Sequence, residues 1–167
     1  MTSPTVTLQI RKRPIDELKP YSRNARTHSA SQVEQIAHSI REFGLVNPIL
    51  VAEDGTVIAG HARLQAAMLL EMKEVPVIVL AHLSPKQRRA LVMADNQLAL
   101  NAGWDEALLG AELAALEKEP FDLHLIGFNE AELDRLRAEV LKPEPRDPDA
   151  LPELPESAVS RAATSGS

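Results

Sequence analysis

Residues Ile49 to Leu70, ILVAEDGTVIAGHARLQAAMLL, constrain this chain more than any other stretch. An apolar run (Ile49, Leu50, Val51) meets Asp54-Gly55, and a second short apolar run (Val57, Ile58, Ala59) follows. Asp-Gly between β-type runs is a hairpin signal. Gly60-His61-Ala62-Arg63 then opens a helical stretch reaching Leu70. A glycine at a strand-to-helix step lets backbone N–H groups approach a ligand. The helix N-terminus adds partial positive charge and unpaired donors, which suit a phosphate. Arg63, in the first turn, is a cation able to grip phosphate oxygens through two N–H groups at once. A tight turn followed by a surface arginine accounts for the same residues, so spacing leaves both readings open.

The flanking segments supply the rest of an α/β (α+β) pattern. Val6, Leu8 and Ile10 alternate with polar residues, which predicts a first strand over Val6 to Ile10. Ile15 to Pro20 reads as a short turn or helical piece, and the polar, arginine-rich stretch Tyr21 to His28 as a loop. Ser31 and Glu34 fit a capping box before Val33, Ile36, Ala37 and Ile40, with Gly44 as the stop. Val75 to Leu80 is a further buried strand. Ser84-Pro85-Lys86-Gln87 starts a helix to about Leu100, with Leu91, Ala94 and Leu98 expected to face inward. Lys86, Arg88 and Arg89 in its first turns serve an external anion or are simply solvated. Trp104, Asp105 and Leu109 fit a capped helix start with a hydrophobic staple. Phe128, Asn129 and Leu133 repeat that arrangement for a last helix, Glu130 to about Leu141.

Composition narrows the function classes. The 167 residues are 44% hydrophobic but only 3% aromatic, so Leu, Ile, Val and Ala must build the core. There is no cysteine, which excludes disulfides, thiolate metal sites and thiol catalysis. No run approaches the ~20 apolar residues of a membrane helix, and the opening residues contain no apolar signal region. A cytoplasmic protein with no membrane partner is the expectation. The net charge of -6 argues against coating DNA by electrostatics alone. Even so, Arg11, Lys12, Arg13, Lys19, Arg23 and Arg26 face only Asp16 and Glu17 near the start, giving a local basic surface or a solvated face. His28, His38, His61, His82 and His124 show no helical ligand pair, so no metal site of protein ligands is expected. His61, beside the phosphate turn, can bond phosphate or act as acid or base, or simply face solvent. Asp95 and Asn96 interrupt an apolar helical run on about the same side as Arg88, either as a surface stripe or as part of a site.

Taken together, several segments resemble the ParB/sulfiredoxin superfamily, specifically the ParB-like N-terminal domain, from about Leu8 to Leu116. They are Asp16-Glu17-Leu18-Lys19-Pro20, Ile36-Ala37-His38-Ser39-Ile40, Phe43 to Ile49, Gly60 to Ala67, and Val75-Pro76-Val77. The resemblance implies a small mixed sheet with packed helices. In partition proteins of the family the Gly60 motif reads Gly-Glu-Arg-Arg and holds nucleotide phosphates; Gly60 and Arg63 match, while His61 and Ala62 differ. A second motif, Glu-Asn-x-x-Arg, helps bind and turn over CTP with magnesium; Asp95-Asn96 stands at its place, and Ala99 replaces the arginine. The resemblance thus implies phosphate binding by Gly60, His61 and Arg63. It places Asp95 and Asn96 as the catalytic candidates near Mg2+, with CTP or ATP as cofactor, and does not carry over hydrolysis. Sulfiredoxin activity is excluded with the missing cysteine.

Ala94 to Glu106 and Leu125 to Asn129 resemble a branch, common in phages and mobile elements, in which this domain precedes a DNA methyltransferase. The resemblance implies DNA association through another domain, and a methyltransferase or a second copy as partner. No Asp-Pro-Pro-Tyr or Phe-x-Gly-x-Gly motif is present, so the chain is not a methyltransferase by itself. No helix-turn-helix domain is expected either, and with it no DNA clamp of the partition type. The expected division is a ParB-like domain over 1–118, a helical extension over 119–141, and an acidic proline-rich linker and disordered tail over 142–167, standing alone or cut short after Ser160. A nucleotide-dependent enzyme (NTPase, small-molecule kinase or nuclease) and a pure protein-interaction module remain the alternatives.

Overall fold

A computed structural model describes residues 6–142. The expected linker and tail therefore lie, after Lys142, outside the described residues. The strands are β1 (Ile10–Pro14), β2 (Ile49–Val51), β3 (Val57–Ala59) and β4 (Glu74–Val79). The helices are α1 (Ala30–Phe43), α2 (His61–Leu69), α3 (Pro85–Leu100), α4 (Glu106–Leu116) and α5 (Glu130–Val140). The sheet runs β1-β4-β2-β3. Its outer pairs are antiparallel, and β2 lies parallel to β4. This is the small mixed sheet with packed helices that the sequence predicts.

The Asp54-Gly55 turn closes the β2–β3 hairpin. The Thr56 backbone N–H donates to Asp54 Oδ1 (3.0 Å), and Ala52 N–H donates to Thr56 O (2.8 Å). Gly55 has φ +84°, and a Cβ there would lie 2.3 Å from Glu17 O. No side chain fits that position, because the Glu17–Lys19 segment crosses directly over the turn. Lys19 N–H donates to Gly55 O and Val57 N–H to Lys19 O, so the crossing segment extends the sheet.

Alternation along β3 divides the core. Val57 joins Leu18, Ile49, Val51, Leu64, Ala67, Val75 and Val77 on the α2 side. Ile58, its neighbour, joins Ala52, Leu80 and Val92 on the α3 side. A separate cluster of Leu113, Leu123, Leu133 and Leu136 holds α4 to α5. At Gly110 a Cβ would sit 2.5 Å from Val140 Cγ2, so glycine sets how closely these helices approach.

Four local expectations change. The first strand lies at Ile10–Pro14 rather than Val6 to Ile10. Ile10 pairs with Ile78 near the end of β4, so earlier residues have no partner strand. The α1 capping box uses Ser29 and Gln32 instead of Ser31 and Glu34. Both pairs satisfy the spacing, but Ser29 has the extended backbone that a cap requires, and Ser31 already lies within the helix. On α3 it is Val92 that is buried; Leu91 packs partly, and Leu98 is 67% exposed because only one side of the helix meets the sheet. Asp105 caps α4 as expected, accepting from Leu108 N–H at 3.0 Å. The Trp104 ring, however, lies 5.9 Å from Phe128, while Leu109 packs into the α4–α5 cluster. The Ser84 capping box forms as predicted, and Asn129 caps α5 as expected, with Glu132 completing a capping box there.

Leu64→Ala is expected to cost about 2–5 kcal/mol in denaturant unfolding, the usual cost of a cavity at a buried leucine. Leu98→Ala should change stability by no more than about 0.5 kcal/mol.

Candidate functional site

The polypeptide turns from β3 into α2 at Gly60, which has φ 99° and ψ 26° and caps the helix with no side-chain hydrogen bond. The left-handed conformation favours glycine. A second constraint reinforces it: a Cβ on Gly60 would meet Arg63 Nη2 at 2.9 Å and Arg63 Cζ at 3.2 Å. The guanidinium of Arg63 is thus folded back over the residue that begins its own helix.

Arg63 is anchored by one hydrogen bond, Nη2 donating to Pro48 O at 3.3 Å. Its Nε is buried and has no partner among the described residues. Burial lowers the affinity of this guanidinium for its proton, and the carboxylate of Asp95 opposes that shift. An arginine remains charged under such conditions. The result is a half-buried cation with an unused N–H group.

His61 is half-buried, and its Nε2 accepts a hydrogen bond from the Tyr21 backbone N–H at 3.2 Å. An acceptor at Nε2 assigns the proton of the neutral ring to Nδ1. Burial, then repulsion from His28, pushes the His61 pKa below its ordinary value. This contact also pins the start of the Tyr21–His28 loop to α2. Further along, Arg26 Nη1 donates to the backbone oxygen of Asn96 (3.3 Å), which ties the loop to α3.

Gly60, His61, Ala62 and Arg63 line one cavity of about 180 Å³ with Asp95, Asn96 and Ala99 from α3. The structure therefore brings the five sequence-chosen residues to one place, although 35 positions separate Gly60 from Asp95. Asn96 is partly committed, its Nδ2 donating to Val92 O at 2.8 Å. Two further members of the wall are Arg26, which the sequence places in a local basic surface or solvated face, and His28, which it places in a polar loop; neither is among the site residues it selects. Ala99 leaves α3 without a cation here, and Arg26 supplies one from the Tyr21–His28 loop. A larger groove of about 560 Å³ adjoins the cavity between the Tyr21–Thr27 loop and α3; Arg26 and Asn96 line both.

No group of three or more acidic, histidine or cysteine ligands occurs among the described residues. One carboxylate and one amide do not by themselves supply the oxygen set that magnesium takes. A further boundary is that no described helix is long and apolar enough to cross a membrane.

Residues 2–97 match the family described as ParB N-terminal domain, and residues 107–162 match the ParB-methyltransferase HTH domain. The second match overturns the expectation that no helix-turn-helix domain is present. That expectation allows no room for such a domain, and residues 107–162 are where the match falls. Among similar proteins is the ParB-like nuclease domain-containing protein YnaK of Escherichia coli (strain K12). It is 52% identical over 82 residues, 49% of this chain and 94% of that protein. The probable chromosome 2-partitioning protein ParB of Deinococcus radiodurans is 38% identical over 91 residues, 52% of this chain but 31% of that protein. The chain thus spans less than a third of that partition protein. Among solved structures, the C-terminally truncated chromosome-partitioning protein ParB from Caulobacter crescentus, complexed with CTP-gamma-S, superposes with a TM-score of 0.67. The identity is 23%, and 81% of each chain is covered. That likeness is one of fold. With its mixed sheet, its Gly60 turn and a family match over more than half its length, the chain belongs to the ParB N-terminal domain family.

Proposed function

We propose that this chain is a nucleotide-binding module that holds the phosphates of a nucleoside triphosphate at the Gly60–Arg63 turn. One observation carries the reading: the guanidinium of Arg63 sits over the left-handed N-cap of α2 with a buried Nε that nothing described satisfies. An unpaired buried donor costs on the order of 1–3 kcal/mol, which an incoming phosphate oxygen would offset. His61 adds a fixed N–H donor, and the first turn of α2 adds free backbone N–H groups. The similar fold of a partition protein complexed with a CTP analogue supports a nucleotide as the occupant. Magnesium would enter as the nucleotide's complex, since the donors among the described residues do not form a site for it.

The context of this activity is DNA partition or DNA modification. The partition-protein relatives and the match to a methyltransferase-associated HTH domain support it. A DNA methyltransferase, with this chain as its leading module, and a second copy of the chain are the proposed partners. Methyltransferase motifs in the reading frame that follows the gene would support the first; their absence there would remove it.

Turnover is a second reading, favoured by the position of Asp95 in the cavity that the phosphate turn lines. A carboxylate there can orient or deprotonate an attacking water, with Asn96 beside it. Phosphate release should then disappear in Asp95→Ala; release that persists in that variant marks a contaminating enzyme.

Triphosphate with magnesium, at about a hundredfold excess over Kd, is expected to stabilise the protein by about 2.7 kcal/mol. A domain of this size should show that as a rise of several degrees in Tm. Arg63→Ala should abolish the rise. Arg63→Lys should retain only part of it, because an ammonium lacks the planar fork. No shift with any of the four common triphosphates would sink the reading. In Gly60→Ala the added methyl strains the backbone and displaces the guanidinium, so binding should weaken at least tenfold, equivalent to about 1.4 kcal/mol. Titration against the wild-type protein checks this.

A further inference from the structure

The cavity holds an unusual balance of charge. Arg26 and His28 stand on the loop wall, His61 and Arg63 on α2, and the lone carboxylate of Asp95 on α3. The residue contributed by α1, Ile36, is apolar. His61 is committed through Nε2 to the Tyr21 N–H, and protonating that nitrogen would break the contact. His28 carries no such commitment: burial and the charge of Arg26 act on it, but no hydrogen bond does. It is partly buried and lines the same cavity as two guanidinium-bearing residues and one carboxylate, and burial, then Arg26, disfavours its protonated form.

We propose that an anion entering this cavity binds together with a proton, and that His28 is the residue that takes the proton up. The inference rests on the anion-binding reading of the same site. A multiply charged phosphate outweighs burial and the repulsion from Arg26, so the charged form of the imidazole becomes the favoured one. The proton comes from the buffer, adds to the free nitrogen of His28, and leaves again with the anion; nothing is consumed. His61 stays neutral and keeps its hold on Tyr21, so the loop that carries His28 remains in place.

The sign follows from linkage. Burial, then Arg26, holds the pKa of empty-state His28 below its ordinary value, and the bound anion raises it. Between the two values, affinity falls as pH rises, by up to about tenfold per pH unit. The site would then bind more tightly in acid, while Arg26 and Arg63 supply a charge that does not vary with pH.

Calorimetric titration of the full chain with CTP and magnesium, and with inorganic tripolyphosphate as the base-free control, tests this from pH 8 to pH 6. Both ligands titrate in that range themselves, so the quantity read is the difference between wild type and His28→Gln. Wild type should gain about tenfold in affinity over the variant across the range, and should take up as much as one additional proton in buffers of different ionisation heat. Parallel pH curves and equal proton counts overturn the proposal and leave anion binding standing. Absence of binding at every pH removes the anion-binding reading and this inference with it. An NMR titration of the His28 imidazole in the wild-type chain does not depend on the variant folding: its midpoint should rise when CTP is added, and an unmoved midpoint overturns the proposal.

Discussion

The parallel pairing of β2 with β4 is the constraint on which the rest of the structure depends. Parallel neighbours cannot be joined by a tight turn and need a crossover. Here the crossover is built from β3, Gly60 and α2, so the chain must leave the sheet plane at the end of β3. The helix that carries it back buries Leu64 and Ala67 against the sheet. Burial of one face fixes how α2 is rotated. That rotation in turn sets Arg63 against Pro48 at the start of β2 and His61 against the Tyr21 loop. The site is therefore a by-product of a topological requirement: wherever this sheet forms, the Gly60 turn is presented beside α3.

Much of this was legible in the sequence, and the limits follow from physical causes. The hairpin and the Gly60 helix were readable because each is a local signal: a turn dipeptide, or a glycine followed by apolar residues at helical spacing. The convergence of Gly60 with Asp95 was not local; it came from resemblance, because no periodicity reports which helix crosses which strand. Arg26 and His28 were not assigned to the site for a different reason. They belong to a loop whose position is set by single contacts, Tyr21 N–H to His61 and Arg26 to the Asn96 carbonyl, and such contacts leave no pattern in composition or spacing. The displaced capping box shows a third limit. Ser29-Gln32 and Ser31-Glu34 are equivalent as spacings, and only the backbone angles of Ser29 separate them.

Charge is distributed as unevenly as structure. Residues 6–102 contain twelve Lys and Arg against nine Asp and Glu, whereas residues 105–142 contain four against ten. The arginines of α5 are also engaged locally. Arg135 meets Glu106, and Arg137 is held by Glu117, Glu130 and Asp134, which raises its affinity for its proton. These exposed pairs add little to stability. Their effect is to neutralise the cations that the α4–α5 pair would otherwise present, which leaves its surface acidic beside a basic neighbour.

The way Gly60 and Arg63 lie against each other has a consequence for how the empty protein behaves. Because the guanidinium rests where a side chain on Gly60 would be, the site is occupied by a part of itself. The cation is already partly shielded, and on the anion-binding reading a guest would gain by replacing the Pro48 carbonyl or reaching the idle Nε. On that reading, selection at this doorway is a competition between an internal occupant and an external one. The arginine would then be a plug as well as a clasp, and the glycine beneath it is the seat that lets the guanidinium fit.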